Sequence, residues 1–279
     1  MIDRVTEVYK TRGLEGLLTK GVNFILARTL GLRISKSISI NSHGIARRIF
    51  SPCSIQESED GYFYLDPMPT EAQLAEYYSS LYWGSRDGKD YGASVRDLVH
   101  YDLLRTYAAE EMTAGKVFLN FGAGHGGISN LCWFVGMDVV NVEPSGVPGF
   151  YEQRWTTYQS ISEVESDSVD VVYGSHSLEH VQDIGRFKKE VERVLKSKGL
   201  LFWEVPNADA PWNGAQKGKV DIPHTYYFKA DFFNKWFTET ILCKGYVQTH
   251  GFDVIERWAE FENSEGAVVR ALGRIEKVT

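Results

Sequence analysis

At 279 residues the chain can bury one large core with an appendage, and 43% hydrophobic with 24% charged residues is the composition of a folded globular protein, which excludes disorder as the default. The net charge of −7 is uneven: residues 1–50 hold nine Lys/Arg against three acids, a local +6, and the remainder carries −13. So acidic a main body excludes a nucleic-acid groove, because phosphate contacts need a basic stripe.

The opening MIDRVTEVYK carries acids and no apolar core, so no secretory signal is expected. The longest apolar runs, such as VGMDVV, fall far short of the roughly 20 residues that span a bilayer, and no transmembrane segment is expected. From Val5 to Leu32 apolar residues recur at three- and four-residue steps, which predicts helix, broken by Gly13, Gly16 and Gly21 into two shorter pieces. A basic amphipathic pair of this kind packs on the body or on a second subunit, or lies on anionic lipid through its Lys and Arg residues.

Residues 36–70 alternate (SISIN, RRIF, GYFYLD) and carry turn signals at Asp60-Gly61, Pro67 and Pro69, which predicts short strands. Thr70 is placed to cap a helix, EAQLAEYYSSLYW, with Glu71 near its positive end. GSRDGKDYGAS then reads as a loop and SVRDLVHYDLLRTYAAEEM as an amphipathic helix. Cys53, Cys132 and Cys243 share no CxxC or Cys/His spacing, so neither a disulfide framework nor a structural zinc is expected, and a reducing cytoplasm suits them.

From Lys116 the texture changes. VFLNF, DVVNV, VDVVYG and LLFWEV are apolar runs of strand length, separated by glycine turns and helical stretches such as RFKKEVERVLK. That order predicts an α/β fold, Rossmann-like and doubly wound, with a mostly parallel sheet buried on both faces behind an N-terminal cap of helices and short strands. The expected division is a basic helical segment at 1–36, a cap at 37–105, and a main domain at 106–279 with an insertion at about 208–240.

FGAGHGG, residues 121–127, lies between strand and helix, where only glycine lets backbone approach a ligand closely. Gly122, Gly124 and Gly127 satisfy the GxGxxG spacing of a nicotinamide or flavin site; Gly122, Gly124 and Gly126 equally satisfy GxGxG. Glu143, ending DVVNV, stands where an acid grips ribose hydroxyls, which both cofactor types possess.

VDVVYGSHSLEHVQDIGRFKKEVERVLKSKGLLFWEVPN, residues 169–207, adds an SLEH helix start and a Lys-Ser-Lys-Gly turn before a strand ending Val-Pro-Asn. With NFGAGHG, VEPS and YQSISEV, this resembles the class I S-adenosylmethionine-dependent methyltransferases, in the branch containing bacterial sugar and surface-polysaccharide methyltransferases and ubiquinone-type O-methyltransferases. The resemblance covers roughly residues 70–275. It implies S-adenosylmethionine as cofactor, with Gly122, Ala123 and Gly124 at its methionine part, Glu143 on both ribose hydroxyls, Pro144 on the adenine face, and Gln159 and Ser160 at the adenine edge. It also places Ser175 and His176 under the methionine or at the substrate opening. Asn120 departs from the acid usual two residues before the first glycine.

Methyl transfer to an alcohol requires alignment and removal of a proton, and histidine suits the second task because its charge changes near neutral pH. His224, in DIPHTYYFKADFFNKWF, is the first candidate for general base and His180 the second. His176, Glu179 and His180 would share one face of a helix. This set matches the metal-associated Glu-x-x-Glu-His of the ubiquinone-type enzymes at two of three positions. Leu-Glu-His also occurs in metal-free members, and no metal is expected.

Tyr82, Trp83, Tyr91, Trp212, Tyr226, Tyr227 and Phe228 crowd the expected substrate side, and rings with polar tips suit a sugar. FYLDPMPTEAQLAEYYSSLYW resembles the region ahead of the catalytic domain in sugar and surface-polysaccharide methyltransferases. The expectation is a cytoplasmic enzyme with a small-molecule or glycan acceptor and no nucleic-acid partner, in peripheral contact with the inner membrane face through residues 1–33. The alternatives are an aromatic or quinone hydroxyl, a secondary metabolite, and a cofactor-binding subunit without catalysis.

Overall fold

In a computed structural model the described residues are 33–34, 40–79, 93–144, 154–211, 213–246 and 266–277. The helices expected within residues 5–32 lie outside them, as do Tyr82, Trp83, Tyr91 and Trp212. Strand β1, Arg33–Ile34, precedes helix α1, Ile40–Phe50. That helix corrects the expectation of strand for this stretch: Ala46, Ile49 and Phe50 are buried, at the three- and four-residue spacing of one helical face, and this outweighs the alternation of SISIN and RRIF.

Strands β2, Ser54–Ser58, and β3, Tyr62–Asp66, form an antiparallel hairpin across the Asp60-Gly61 turn. Helix α2, Glu71–Tyr77, starts at Thr70, whose hydroxyl accepts from the N–H of Gln73 while the Gln73 side chain accepts from the N–H of Thr70. Helix α3, Val95–Tyr107, has the same reciprocal cap between Ser94 and Asp97.

The main sheet follows the expected runs: β4, Val117–Phe121; helix α4, Gly127–Phe134; β5, Asp138–Val142; β6, Thr156–Tyr158; β7, Val169–Ser175; helix α5, Ile184–Val194; and β8, Leu195–Pro206. Beyond it come β9, Asp221–Ile222; β10, Tyr226–Phe228; helix α6, Ala230–Trp236; β11, Glu239–Tyr246; and β12, Val268–Arg274. The seven strands run β11-β12-β8-β7-β4-β5-β6, with β12 and β11 antiparallel and the others parallel.

Successive residues of β8 face opposite cores. Trp203 packs with Phe187, Val191 and Trp236 from α5 and α6, whereas Phe202 packs with Tyr173, Leu104, Ile128 and Cys132 from the α3 and α4 side. Each such side chain contributes about 1.5–3 kcal/mol when fully buried, so two-faced burial explains why these strands are uninterrupted apolar runs. The Lys-Ser-Lys-Gly turn is a bulge: Leu195 pairs with Val169, pairing resumes at Leu200 with Val171, and Lys198 takes φ 62°.

The chain enters the sheet at β4, moves outward through β5 and β6, then crosses back to β7 and β8. The order of strands therefore reverses between β4 and β7, and ligands bind at the carboxyl ends of strands at such a switch point. A second sheet, β10-β3-β2, joins the insertion after β8 to the N-terminal cap, and both share a third core containing Phe50, Leu65, Tyr77 and Tyr227.

Candidate active site

The glycine loop leaves β4 and is held against the end of β5, where Val142 O accepts from Gly122 N at 2.8 Å and from Ala123 N at 3.3 Å. Gly122, Gly124 and Gly126 have φ of 71°, 56° and 71°, the left-handed region that glycine enters without strain. A Cβ on Gly122 would stand 2.5 Å from Ser177 Cβ, and one on Gly126 2.9 Å from the Trp155 ring. At Gly124 a Cβ would meet nothing within 4 Å, so the middle of the loop faces open space of the kind a ligand fills. Gly127 opens α4 with no left-handed φ and packs on Asp97 of α3, so the GxGxG reading describes the loop.

Glu143 is 4% exposed, and its Oε2 accepts from Gly124 N at 2.9 Å. Its own N–H donates to Tyr158 O at 2.9 Å, which brings the end of β6 alongside. Pro144, Gln159 and Ser160 are exposed there. The N–H groups of Gln159 and Ser160 donate to Glu163 Oε1 at 3.1 and 2.8 Å, and the Ser160 hydroxyl caps the short helix Ile161–Glu163. Asn120 donates to Ser129 Oγ, which donates to Asn141 Oδ1, so its amide ties α4 to the sheet. Open space at Gly124 beside a carboxylate able to accept from a diol fits the cofactor inferred from the sequence.

Ser175 ends β7, and His176 turns the chain out of the strand with φ 50°. This corrects the expected helix face. Leu178–His180 is a single short turn of 3-10 helix that excludes His176. The ring still reaches Glu179, with Nδ1 3.3 Å from Glu179 Oε1 and Nε2 3.3 Å from Glu204 Oε1. Burial alone would lower the pKa of this ring, but the two carboxylates raise it to about 9.

Glu204, from the apolar run LLFWEV, is 1% exposed. It accepts from His100 Nε2 at 2.8 Å, Arg270 Nε at 2.8 Å and Ser175 Oγ at 3.3 Å, and Arg96 Nε stands 3.6 Å away. Burial disfavours its charge, but His100, His176 and Arg270 hold its pKa well below the usual range. His100 is itself pushed down by burial. Sequence reading missed this hub; charges inside the apolar strands LLFWEV and VVRAL were its signal.

Thr225 ties the segment after β9 to the turn after β7. Its N–H and hydroxyl both donate to Glu179 O at 2.9 Å, and the hydroxyl lies 2.6 Å from Val181 O. The preceding residue, His224, is thereby held to the turn that carries Glu179 and His180, and the two imidazole centroids are 5.0 Å apart. Tyr78 stands edge-on to His180 at 6.0 Å. Glu179 is 1% exposed; burial raises its pKa, but His176, His180 and His224 outweigh that and bring it to about 2. Tyr226, Tyr227 and Phe228 are buried in the cores, which corrects their assignment to a substrate-facing surface.

Residues 95–256, more than half of the chain, match the family model of a methyltransferase domain. The chain belongs to the methyltransferase-domain family. Its loop, its acid after β5 and its reversed strand order are those of an S-adenosylmethionine-dependent methyltransferase. The fold is shared with Burkholderia thailandensis 1,6-didemethyltoxoflavin N1-methyltransferase, solved with bound 1,6-didemethyltoxoflavin and S-adenosylhomocysteine, at TM-score 0.52 and 15% identity over 80% of this chain and 99% of that one. A Thermotoga maritima S-adenosylmethionine-dependent methyltransferase matches at TM-score 0.42 and 17% identity, over 65% of this chain and 96% of that one. A Haemonchus contortus phosphoethanolamine N-methyltransferase matches at TM-score 0.35 and 20% identity over 40% of this methyltransferase, which spans 28% of that enzyme's length. No curated protein sequence matches the chain.

Proposed function

We propose that the methyltransferase acts on a hydroxyl of a sugar or surface-glycan precursor, with His224 as general base and His180 as second candidate. The observation that carries this reading is the pair of histidines over the buried Glu179 carboxylate, held by Thr225 at the carboxyl end of the sheet beside the glycine loop. The donor supplies a methyl already activated on a sulfonium. When bound, the donor would give that methyl to the acceptor oxygen and leave as a neutral thioether, and the His224 ring would take the hydroxyl proton. Glu179 steadies the imidazolium that results, because a carboxylate in a desolvated site interacts strongly with a nearby cation. Glu143 and the loop would hold the donor in line, and alignment of this kind lowers a barrier by about 7–11 kcal/mol.

The resemblance of FYLDPMPTEAQLAEYYSSLYW to sugar and surface-polysaccharide enzymes supports the glycan acceptor. The +6 charge of residues 1–50 supports peripheral contact of residues 1–33 with anionic lipid. None of the helices among the described residues is long and apolar enough to cross a membrane.

The test is transfer of label from S-[methyl-³H]-adenosylmethionine to a panel of nucleotide sugars and glycan precursors, with the methylated atom located by mass spectrometry. Label on a sugar oxygen is expected, and His224→Ala should lower turnover at least tenfold with cofactor binding intact. Label on nitrogen overturns the hydroxyl reading, and unchanged turnover removes His224 from the mechanism. Sedimentation with acidic liposomes should be lost when residues 1–33 are deleted.

A further inference from the structure

We propose that Glu179, His180 and His224 form a binding site for one divalent first-row transition ion of the zinc type, and that the ion holds the enzyme inactive while bound. A ligand atom from each of the three lies within 4.8 Å of the other two, and among the described residues this is the one such group. The carboxylate is 1% exposed, and neither of its oxygens accepts a hydrogen bond of ordinary geometry. His176 Nδ1 faces Oε1 at 3.3 Å and His180 Nε2 faces it at 3.9 Å. A desolvated carboxylate is costly unless cations compensate it, and here His176 and His180 face only Oε1, while Oε2 meets no hydrogen-bond donor among the described residues.

The donor chemistry selects the ion. Two imidazoles with one carboxylate suit zinc, cobalt, iron or manganese, whereas magnesium and calcium prefer all-oxygen sets. Bonds of about 2.0–2.1 Å imply donor separations of about 3.3 Å in a tetrahedral site, so the side chains must close by up to about 1.5 Å. The supporting groups are in place: Thr225 pins the backbone of Glu179, and Asp221 Oδ2 lies 3.9 Å from His224 Nδ1. Three protein ligands leave a fourth position open to water or an acceptor oxygen.

A ring nitrogen whose lone pair is bound to metal cannot take a proton. Ion and base therefore exclude each other, and removal of the ion releases the base. This regulatory consequence rests on the proposed role of His224; the ion site does not.

The test uses the full chain, freed of metal by chelator and titrated with Co²⁺. We expect visible ligand-field bands that saturate at one equivalent, are displaced by Zn²⁺, and are weakened at least tenfold in affinity by His224→Ala and by Glu179→Gln, with S-adenosylmethionine binding unchanged. Absence of saturation, thiolate charge-transfer bands that place the ion on a cysteine, or wild-type affinity in both variants overturns the proposal. Should either variant fail to fold, the wild-type unfolding midpoint decides: Zn²⁺ should raise it and Mg²⁺ should not, and no rise with Zn²⁺ refutes the site. Because no acceptor is present, failure to methylate sugars would leave these spectra untouched, and the two ideas fall separately.

Discussion

Gly124 donates its main-chain N–H to Glu143 Oε2 at 2.9 Å, so the acid at the end of β5 holds the middle of the glycine loop. The same carboxylate is the one proposed to accept from the ribose hydroxyls of the donor, so one side chain would serve both loop shape and cofactor grip. The neighbouring glycines do different work. Gly122 and Gly126 are packed on Ser177 and Trp155, whereas Gly124 faces open space.

Alanine at these positions should separate packing from binding. Gly122→Ala should lower stability by about 2 kcal/mol or more, because strained backbone adds to a clash in the protein's own core. Gly124→Ala should cost only about 1–2 kcal/mol from its left-handed φ, yet weaken S-adenosylmethionine binding at least tenfold. Urea unfolding and calorimetric titration of both variants check this; equal binding losses at equal stability would contradict it.

Glu204 should govern acid stability. Its pKa is lowered from 4.5 and that of His100 from 6.5, so the unfolded chain binds more protons at acid pH. The stabilisation is present in full above pH 6.5; the His100 share is lost as pH falls below 6.5 and the Glu204 share as it falls below 4.5. Glu204→Gln strands Arg270 as a buried cation and should cost about 3–5 kcal/mol at pH 7. Urea midpoints from pH 7 to pH 3.5 should show the variant less stable and less sensitive to pH below 4.5.

Thr225→Val removes the hydroxyl that bonds Glu179 O and Val181 O while keeping the side-chain shape. The loss should be about 1–2 kcal/mol of stability, chiefly from Val181 O, since Glu179 O keeps its bond from the Thr225 N–H. If Thr225 positions His224, turnover should fall at least tenfold with S-adenosylmethionine affinity unchanged. A parallel fall in cofactor affinity would show that Thr225 supports the whole domain instead.

The main sheet was legible because burial on both faces makes β4, β5, β7 and β8 near-continuous apolar runs, and no other element looks like that. The glycine loop was legible because left-handed backbone needs glycine at that spacing, whereas the bond from Gly124 N to Glu143 was not part of the sequence expectation. Helix α1 was not legible, since SISIN, which runs into its start, alternates as a strand would and only packing on the cap reveals Ala46, Ile49 and Phe50 as one face. The Glu204 hub was hidden for a different reason. Its partners come from α3 and, by the register that sets Arg270 opposite Glu204, from β12, and a lone acid in LLFWEV does not say which strand will lie beside it. The pairing of His224 with His180 likewise depends on three bonds from Thr225 that no local pattern encodes.

The most direct measurement is calorimetric titration of the chain with S-adenosylmethionine, in the wild type and in Glu143→Ala. One site per chain is predicted, weakened at least tenfold in the variant, with no heat from reduced nicotinamide dinucleotide. Binding of the nicotinamide in place of S-adenosylmethionine, or equal affinity in Glu143→Ala, would contradict the account.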